Sequence, residues 1–149
     1  MDDKTILDVR DLSVTFRMYD EGLEQKETPV ICSLNVNVRE GEIVAVAGSS
    51  GSGKSLLAHA VLGILPTNAK TTGVMRYYDT DLTAGAQAAL RGKEIALVPQ
   101  SVAFLDPLMR AGKQAQGVSG SEQKQREVFS RFSLPPETGR LYPFQLSGG

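Results

Sequence analysis

The sequence predicts an α/β chain in which an antiparallel β layer leads into a parallel-sheet core. Three observations predict it. Apolar and polar residues alternate through residues 5–16 and 30–38, the pattern of half-buried strands. The short apolar run Ile43-Val44-Ala45-Val46-Ala47 is followed at once by a glycine cluster and then by leucines and alanines at helical spacing. A second apolar run, Ile95-Ala96-Leu97-Val98, stops at Pro99.

Taken in order, residues 5–16 form a strand whose apolar positions are Ile6, Val9, Leu12, Val14 and Phe16. Residues 17–28 are polar, contain Gly22 and read as a hairpin loop. Over residues 30–38, Leu34, Val36 and Val38 share one face and Ser33, Asn35 and Asn37 the other, as in an antiparallel strand with one wet side. Glu40-Gly41 makes a turn. The run over 42–47 suits a strand buried on both faces of a parallel sheet. A helix begins at about Lys54 and is ended by Gly63 and Pro66. Residues 73–78 read as a strand, 84–91 as a short helix and 95–98 as a buried strand. From residue 100 the chain turns polar. A helix at about 122–132 has Ser121 as N-cap and Val128, Phe129 and Phe132 as its apolar stripe, and Pro135-Pro136 breaks it.

Composition narrows the functions. The length of 149 residues is that of one domain. Sixteen Lys and Arg against 17 Asp and Glu give a net charge of −1, with no long-range pull on nucleic acid. One cysteine, Cys32, excludes a disulfide within the chain and a cysteine-based zinc cluster. One histidine, His59, argues against a histidine metal site or a Ser-His-Asp triad; it reads as a packed helix residue. No apolar run reaches the roughly 18 residues of a membrane span. The acidic start Met1-Asp2-Asp3-Lys4 is no secretory signal, so the expected location is cytoplasmic.

Gly48-Ser49-Ser50-Gly51-Ser52-Gly53-Lys54-Ser55 satisfies every fixed position of G-x-x-x-x-G-K-[ST]. Glycines let successive backbone N–H groups face inward as a nest for phosphate oxygens. The positive end of the following helix points at the same place. Lys54 reaches the β- and γ-phosphates as a point charge, and the Ser55 hydroxyl is a hard oxygen ligand for Mg²⁺. The motif needs a buried strand before it and a helix after it, and the sequence supplies both patterns.

The chain ends Tyr142-Pro143-Phe144-Gln145-Leu146-Ser147-Gly148-Gly149, with Gln100 after the run 95–98. Together with the phosphate loop, these motifs resemble the ATP-binding cassette (ABC) ATPases, whose signature begins Leu-Ser-Gly-Gly-Gln. The resemblance covers the whole chain, in the family's order and spacing. It implies a P-loop NTPase fold of the ABC type: an antiparallel β layer and RecA-like parallel core over residues 1–100, then the Q-loop and an incomplete helical subdomain over 101–149. It implies ATP and Mg²⁺ as ligands, held by Gly48 through Leu56. Gln100 becomes the Q-loop glutamine that positions Mg²⁺ and the attacking water. Phe16, with Tyr19 as the weaker candidate, becomes the aromatic that stacks on adenine; ordinary strand packing is the other reading. Ser147, Gly148 and Gly149 become the segment that binds ATP held by the opposite subunit.

Finer features resemble the dipeptide, oligopeptide and nickel importer group: the polar 17–28 insertion, Phe104-Leu105-Asp106-Pro107-Leu108-Met109, and the Tyr142-Pro143 approach to the signature. That resemblance implies a second ABC subunit, transmembrane permease partners, an extracytoplasmic solute-binding protein acting indirectly, and a place on the cytoplasmic face of the membrane. Leu105, Leu108 and Met109 either dock a permease helix or pack within the helical subdomain. No run of four apolar residues followed by Asp-Glu occurs in the sequence. These 149 residues are therefore expected to be a truncated cassette that binds nucleotide without efficient hydrolysis and is poorly stable alone. The alternatives are a soluble, non-transport ABC ATPase and an inactive remnant.

Overall fold

The computed structural model describes residues 4–19, 24–99 and 101–146. The chain divides into two compact units, residues 1–97 and 98–149.

In the first unit, strands β1 (Thr5–Tyr19), β2 (Gln25–Arg39), β3 (Ala69–Tyr77) and β4 (Thr80–Asp81) form one antiparallel sheet in the order β2-β1-β3-β4. Helix α1 (Lys54–Leu62) lays Leu57, Ala60 and Val61 on the core made by Val9, Leu12, Val14, Ile31 and Leu82. Helix α2 (Ala84–Leu90) follows, its Thr83 hydroxyl accepting the Ala86 N–H at 3.3 Å as an N-cap.

The imperfect alternation of β1 has a structural cause. Val9 and Leu12 are three residues apart yet share the core face, because the strand bulges between them, with Asp11 at φ 50°. Without the extra residue the second half of the strand would turn its apolar side to solvent. β2 bulges opposite, at Ser33 with φ 46°, which lets both Ile31 and Leu34 pack inward. The displaced N–H groups are used: Asp11 donates to Asn35 Oδ1 at 2.9 Å and Ser33 donates to Ser13 Oγ at 3.0 Å. Gly73 on β3 passes so close that a Cβ there would lie 2.5 Å from the Asp11 carbonyl oxygen.

Two expected features differ. The hairpin loop is shorter than residues 17–28, because both strands continue outward, pairing Arg17 with Glu27 and Tyr19 with Gln25. Those positions are exposed, so their polar sequence does not report strand. Secondly, residues 42–47 and 95–98 do not form strands. Among the described residues no ladder includes 42–49, and Ile43 is 97% exposed. Ile95 makes only a single bridge, to Arg91. A parallel strand needs a neighbour delivered by a crossover. The apolar runs specify that setting, but the described residues provide no ladder partner for either.

In the second unit, α3 (Ala111–Gln116) and α4 (Glu122–Arg131) are joined to 3-10 turns at Val102–Phe104, Pro136–Arg140 and Pro143–Gln145. Ser121 caps α4 as expected, its hydroxyl accepting the Lys124 N–H at 3.2 Å. Phe129 is the buried residue of that helix. Gly112 meets Gly139 so closely that a Cβ on Gly112 would lie 2.8 Å from the Gly139 carbonyl oxygen. Gln114 fixes the preceding loop: its Oε1 accepts the Asp106 N–H at 2.8 Å, and its Nε2 donates to the carbonyls of Asp106 and Met109 at 3.0 and 2.8 Å. Leu108 stands at the tip of that loop, 87% exposed, and Met109 is also exposed, while Leu105 is half-buried. Among the described residues no helix is long and apolar enough to cross a membrane.

Candidate functional site: the phosphate loop

The loop over residues 48–53 enters α1 through Gly53, whose φ of 86° and ψ of 6° are left-handed. Gly51 is left-handed too, at φ 79°. A glycine holds such a conformation without the Cβ clash that other residues suffer. Close packing adds to the requirement. A Cβ on Gly53 would sit 3.0 Å from Ile31 Cγ1, so the bend rests on β2. A Cβ on Gly48 would sit 2.7 Å from Ser52 Oγ.

The first turn of α1 carries Lys54, Ser55 and Leu56. No side chain caps it, and a helix start leaves its first N–H groups without intrahelical acceptors. Those dipoles point toward the loop. Lys54 turns back over the loop: its Nζ donates to the carbonyls of Gly48 at 2.8 Å and Ser49 at 2.5 Å, and lies 3.3 Å from Ser52 Oγ. The ammonium is therefore held against the backbone of the loop. Ser55 is exposed on the same turn. A cavity of about 280 Å³ adjoins the loop, lined in part by Ile31, Cys32, Ala47, Gly48, Gly53 and Lys54.

This donor set fits a polyphosphate. It has backbone N–H groups, one ammonium and one hydroxyl, and no carboxylate within Gly48–Leu56 to repel an anion. The Ser55 hydroxyl suits a hard divalent cation bridging such phosphates. Among the described residues no cluster of His, Cys, Asp and Glu could hold a metal by itself.

Gly48 through Leu56 thus lie together on one loop and one helix turn. Phe16 lies elsewhere in the same unit, on β1 opposite Thr28 and Ala69, half-buried against the core, and Tyr19 is exposed. Gln100, Ser147, Gly148 and Gly149 fall outside the described residues. His59 lies in the last turn of α1, half-buried.

One residue in this unit escapes the sequence reading. Gln87 is buried and its amide donates to carbonyls of α1. Its only trace in the sequence is a lone polar residue amid the alanines of α2.

A model of the ABC transporter family matches residues 31–149. The chain is 34% identical to the oligopeptide transport ATP-binding protein OppD of Mycobacterium tuberculosis, over 97% of this chain and 25% of that protein. It is 31% identical to OppD of Lactococcus lactis, over 100% of this chain and 47% of that protein. It is also 31% identical to the metal-staphylopine import system ATP-binding protein CntD of Staphylococcus aureus, over 97% of this chain and 56% of that protein. The chain therefore spans from a quarter to a little over half the length of these relatives. The glycine loop, the lysine folded over it and the match over residues 31–149 lead to one assignment: this chain belongs to the ABC transporter family.

Proposed function

We propose that the chain is the nucleotide-binding part of the motor subunit of an importer for oligopeptides or a similar small solute. The phosphate loop carries this reading, because Gly53, Lys54 and Ser55 form an anion site with a cation ligand beside it. The names of its relatives, for oligopeptide transport and metal-staphylopine import, support the solute class.

In this reading the N–H groups of Lys54, Ser55 and Leu56 hold phosphate oxygens, and Lys54 exchanges its loop carbonyls for the β- and γ-phosphates. Ser55 holds Mg²⁺, and Gln100 orients water and Mg²⁺. Phe16 stacks on adenine. Ser147, Gly148 and Gly149 reach ATP on a second subunit. MgATP supplies the phosphoanhydride bond whose cleavage drives the cycle. The loop stapled by Gln114 presents Leu108 and Met109 to a permease on the cytoplasmic face. These 149 residues alone bind MgATP with negligible turnover, since no run of four apolar residues followed by Asp-Glu lies within them.

The test uses the protein in its permease complex. ATP-dependent solute uptake that is lost in Lys54→Ala supports the reading. An intact complex that shows no uptake, or membrane subunits that never co-purify with the protein, contradicts it.

A further inference from the structure

We infer that Gln87 is a positioning residue for the phosphate loop, acting from the far end of α1. Gln87 is 8% exposed. Its Nε2 donates to the carbonyls of Ala60 at 2.8 Å and Val61 at 3.2 Å. Both lie in the last turn of α1, where a helix leaves its carbonyls short of donors. Just past α2, at its C-cap, Arg91 Nη1 approaches the Gly63 carbonyl at 3.4 Å. A cation there also faces the negative end of the α1 dipole.

Gly63 completes the lock. It is left-handed, at φ 65°. Its N–H donates to the Ala60 carbonyl and the Ile64 N–H to the His59 carbonyl, at 3.1 and 2.9 Å, closing the helix as a Schellman motif. A Cβ at Gly63 would run into the Gln87 side-chain oxygen. The glycine therefore both ends α1 and leaves room for the amide.

Leu57, Ala60 and Val61 hold α1 against the sheet by apolar contact, which is non-directional and resists sliding along the helix axis weakly. The segment 42–49 that enters the loop belongs to no ladder among the described residues. Directional bonds at the C-terminal end then fix the axial position and rotation of a helix about 13 Å long. The opposite end of that rigid body carries the N–H groups of Lys54, Ser55 and Leu56. A shift permitted at Gln87 is delivered to the phosphate site. Where this concerns nucleotide, it rests on the proposed phosphate-loop function; where it concerns α1 itself, it does not.

The experiment compares the chain with Gln87→Met, near in shape but without a donor, and with Gln87→Asn, which keeps the amide but falls a methylene short. Phe129→Ala, at the buried residue of α4 in the second unit, is a stability control. Three quantities are measured: amide exchange across residues 48–65 without nucleotide, MgATP affinity by calorimetry, and the thermal midpoint. Both Gln87 variants are expected to speed exchange about five-fold at Gly63 and Ile64 and also at Leu57 and Ala58, and to weaken MgATP about five-fold. Phe129→Ala is expected to lower the midpoint while changing both by less than about two-fold. Exchange that changes only at residues 63–64, or an affinity that follows the midpoint equally in Phe129→Ala, overturns the inference. If the unaltered chain binds no MgATP, the nucleotide reading fails, and the exchange at Leu57 and Ala58 still decides the role of Gln87. One variant that fails to fold leaves the other to decide.

Discussion

Substituting Gly53 with alanine separates backbone strain from nucleotide recognition. Gly53 sits at φ 86° and ψ 6°, where an L-residue costs about 1–2 kcal/mol. Restricting the unfolded chain offsets roughly 0.4–1 kcal/mol of that. The added Cβ would also lie 3.0 Å from Ile31 Cγ1, so β2 or the loop must give by a few tenths of an ångström. Gly41 supplies the comparison: its φ is 75°, yet a Cβ there meets nothing within 4 Å, and it lies outside the phosphate loop. Gly41→Ala is thus expected to destabilise by about 0.5–1 kcal/mol and to leave binding unchanged. Gly53→Ala is expected to destabilise more. It also re-aims the N–H groups of Lys54–Leu56, and losing one charge-assisted hydrogen bond to phosphate, worth about 1.5–3 kcal/mol, weakens MgATP ten-fold or more, on the order of two decades at the upper end. Urea denaturation gives the stability and calorimetry the affinity. If Gly53→Ala binds MgATP like the unaltered chain while losing no more stability than Gly41→Ala, the assignment of the Gly53 bend to phosphate recognition is refuted.

Leu12 is fully buried in β1, at 0% exposure, so Leu12→Ala is expected to cost about 2–5 kcal/mol in urea unfolding; less than about 1 kcal/mol would show that this core is not tightly packed. Ser121→Ala removes the N-cap bond to Lys124 and is expected to cost about 1 kcal/mol, read as faster amide exchange in the first turn of α4 with no change around α1. Leu108→Asp changes an exposed loop tip, so stability is expected to stay within about 0.5 kcal/mol while permease co-purification falls; retained co-purification would count against the docking role.

The antiparallel layer and the phosphate loop were legible for different reasons. The loop is legible because its glycines, lysine and serine occupy fixed positions that local geometry imposes, whatever surrounds them. β1 and β2 are legible because one face is buried, though Val9 and Leu12 keep period two only through a bulge at Asp11 that no pattern announces. Their outer ends, from Arg17 to Tyr19 and Gln25 to Glu27, are exposed and so read as loop. The runs at 42–47 and 95–98 encode burial between strands, and a sequence pattern names the environment without guaranteeing its partners. Gln87 is hidden for the opposite reason. Its significance lies in two carbonyls of α1, 26 and 27 residues earlier in the chain, which only the fold brings within reach.

Calorimetric titration of the 149-residue chain with ATP, in the presence and absence of Mg²⁺ and with Lys54→Ala alongside, decides whether Gly48–Leu56 works as a nucleotide site. One site per chain is expected, with tighter binding in Mg²⁺ and a loss of at least about ten-fold in Lys54→Ala. Folded chain that gives no heat with MgATP, or that binds it equally well without the Lys54 ammonium, would contradict this expectation.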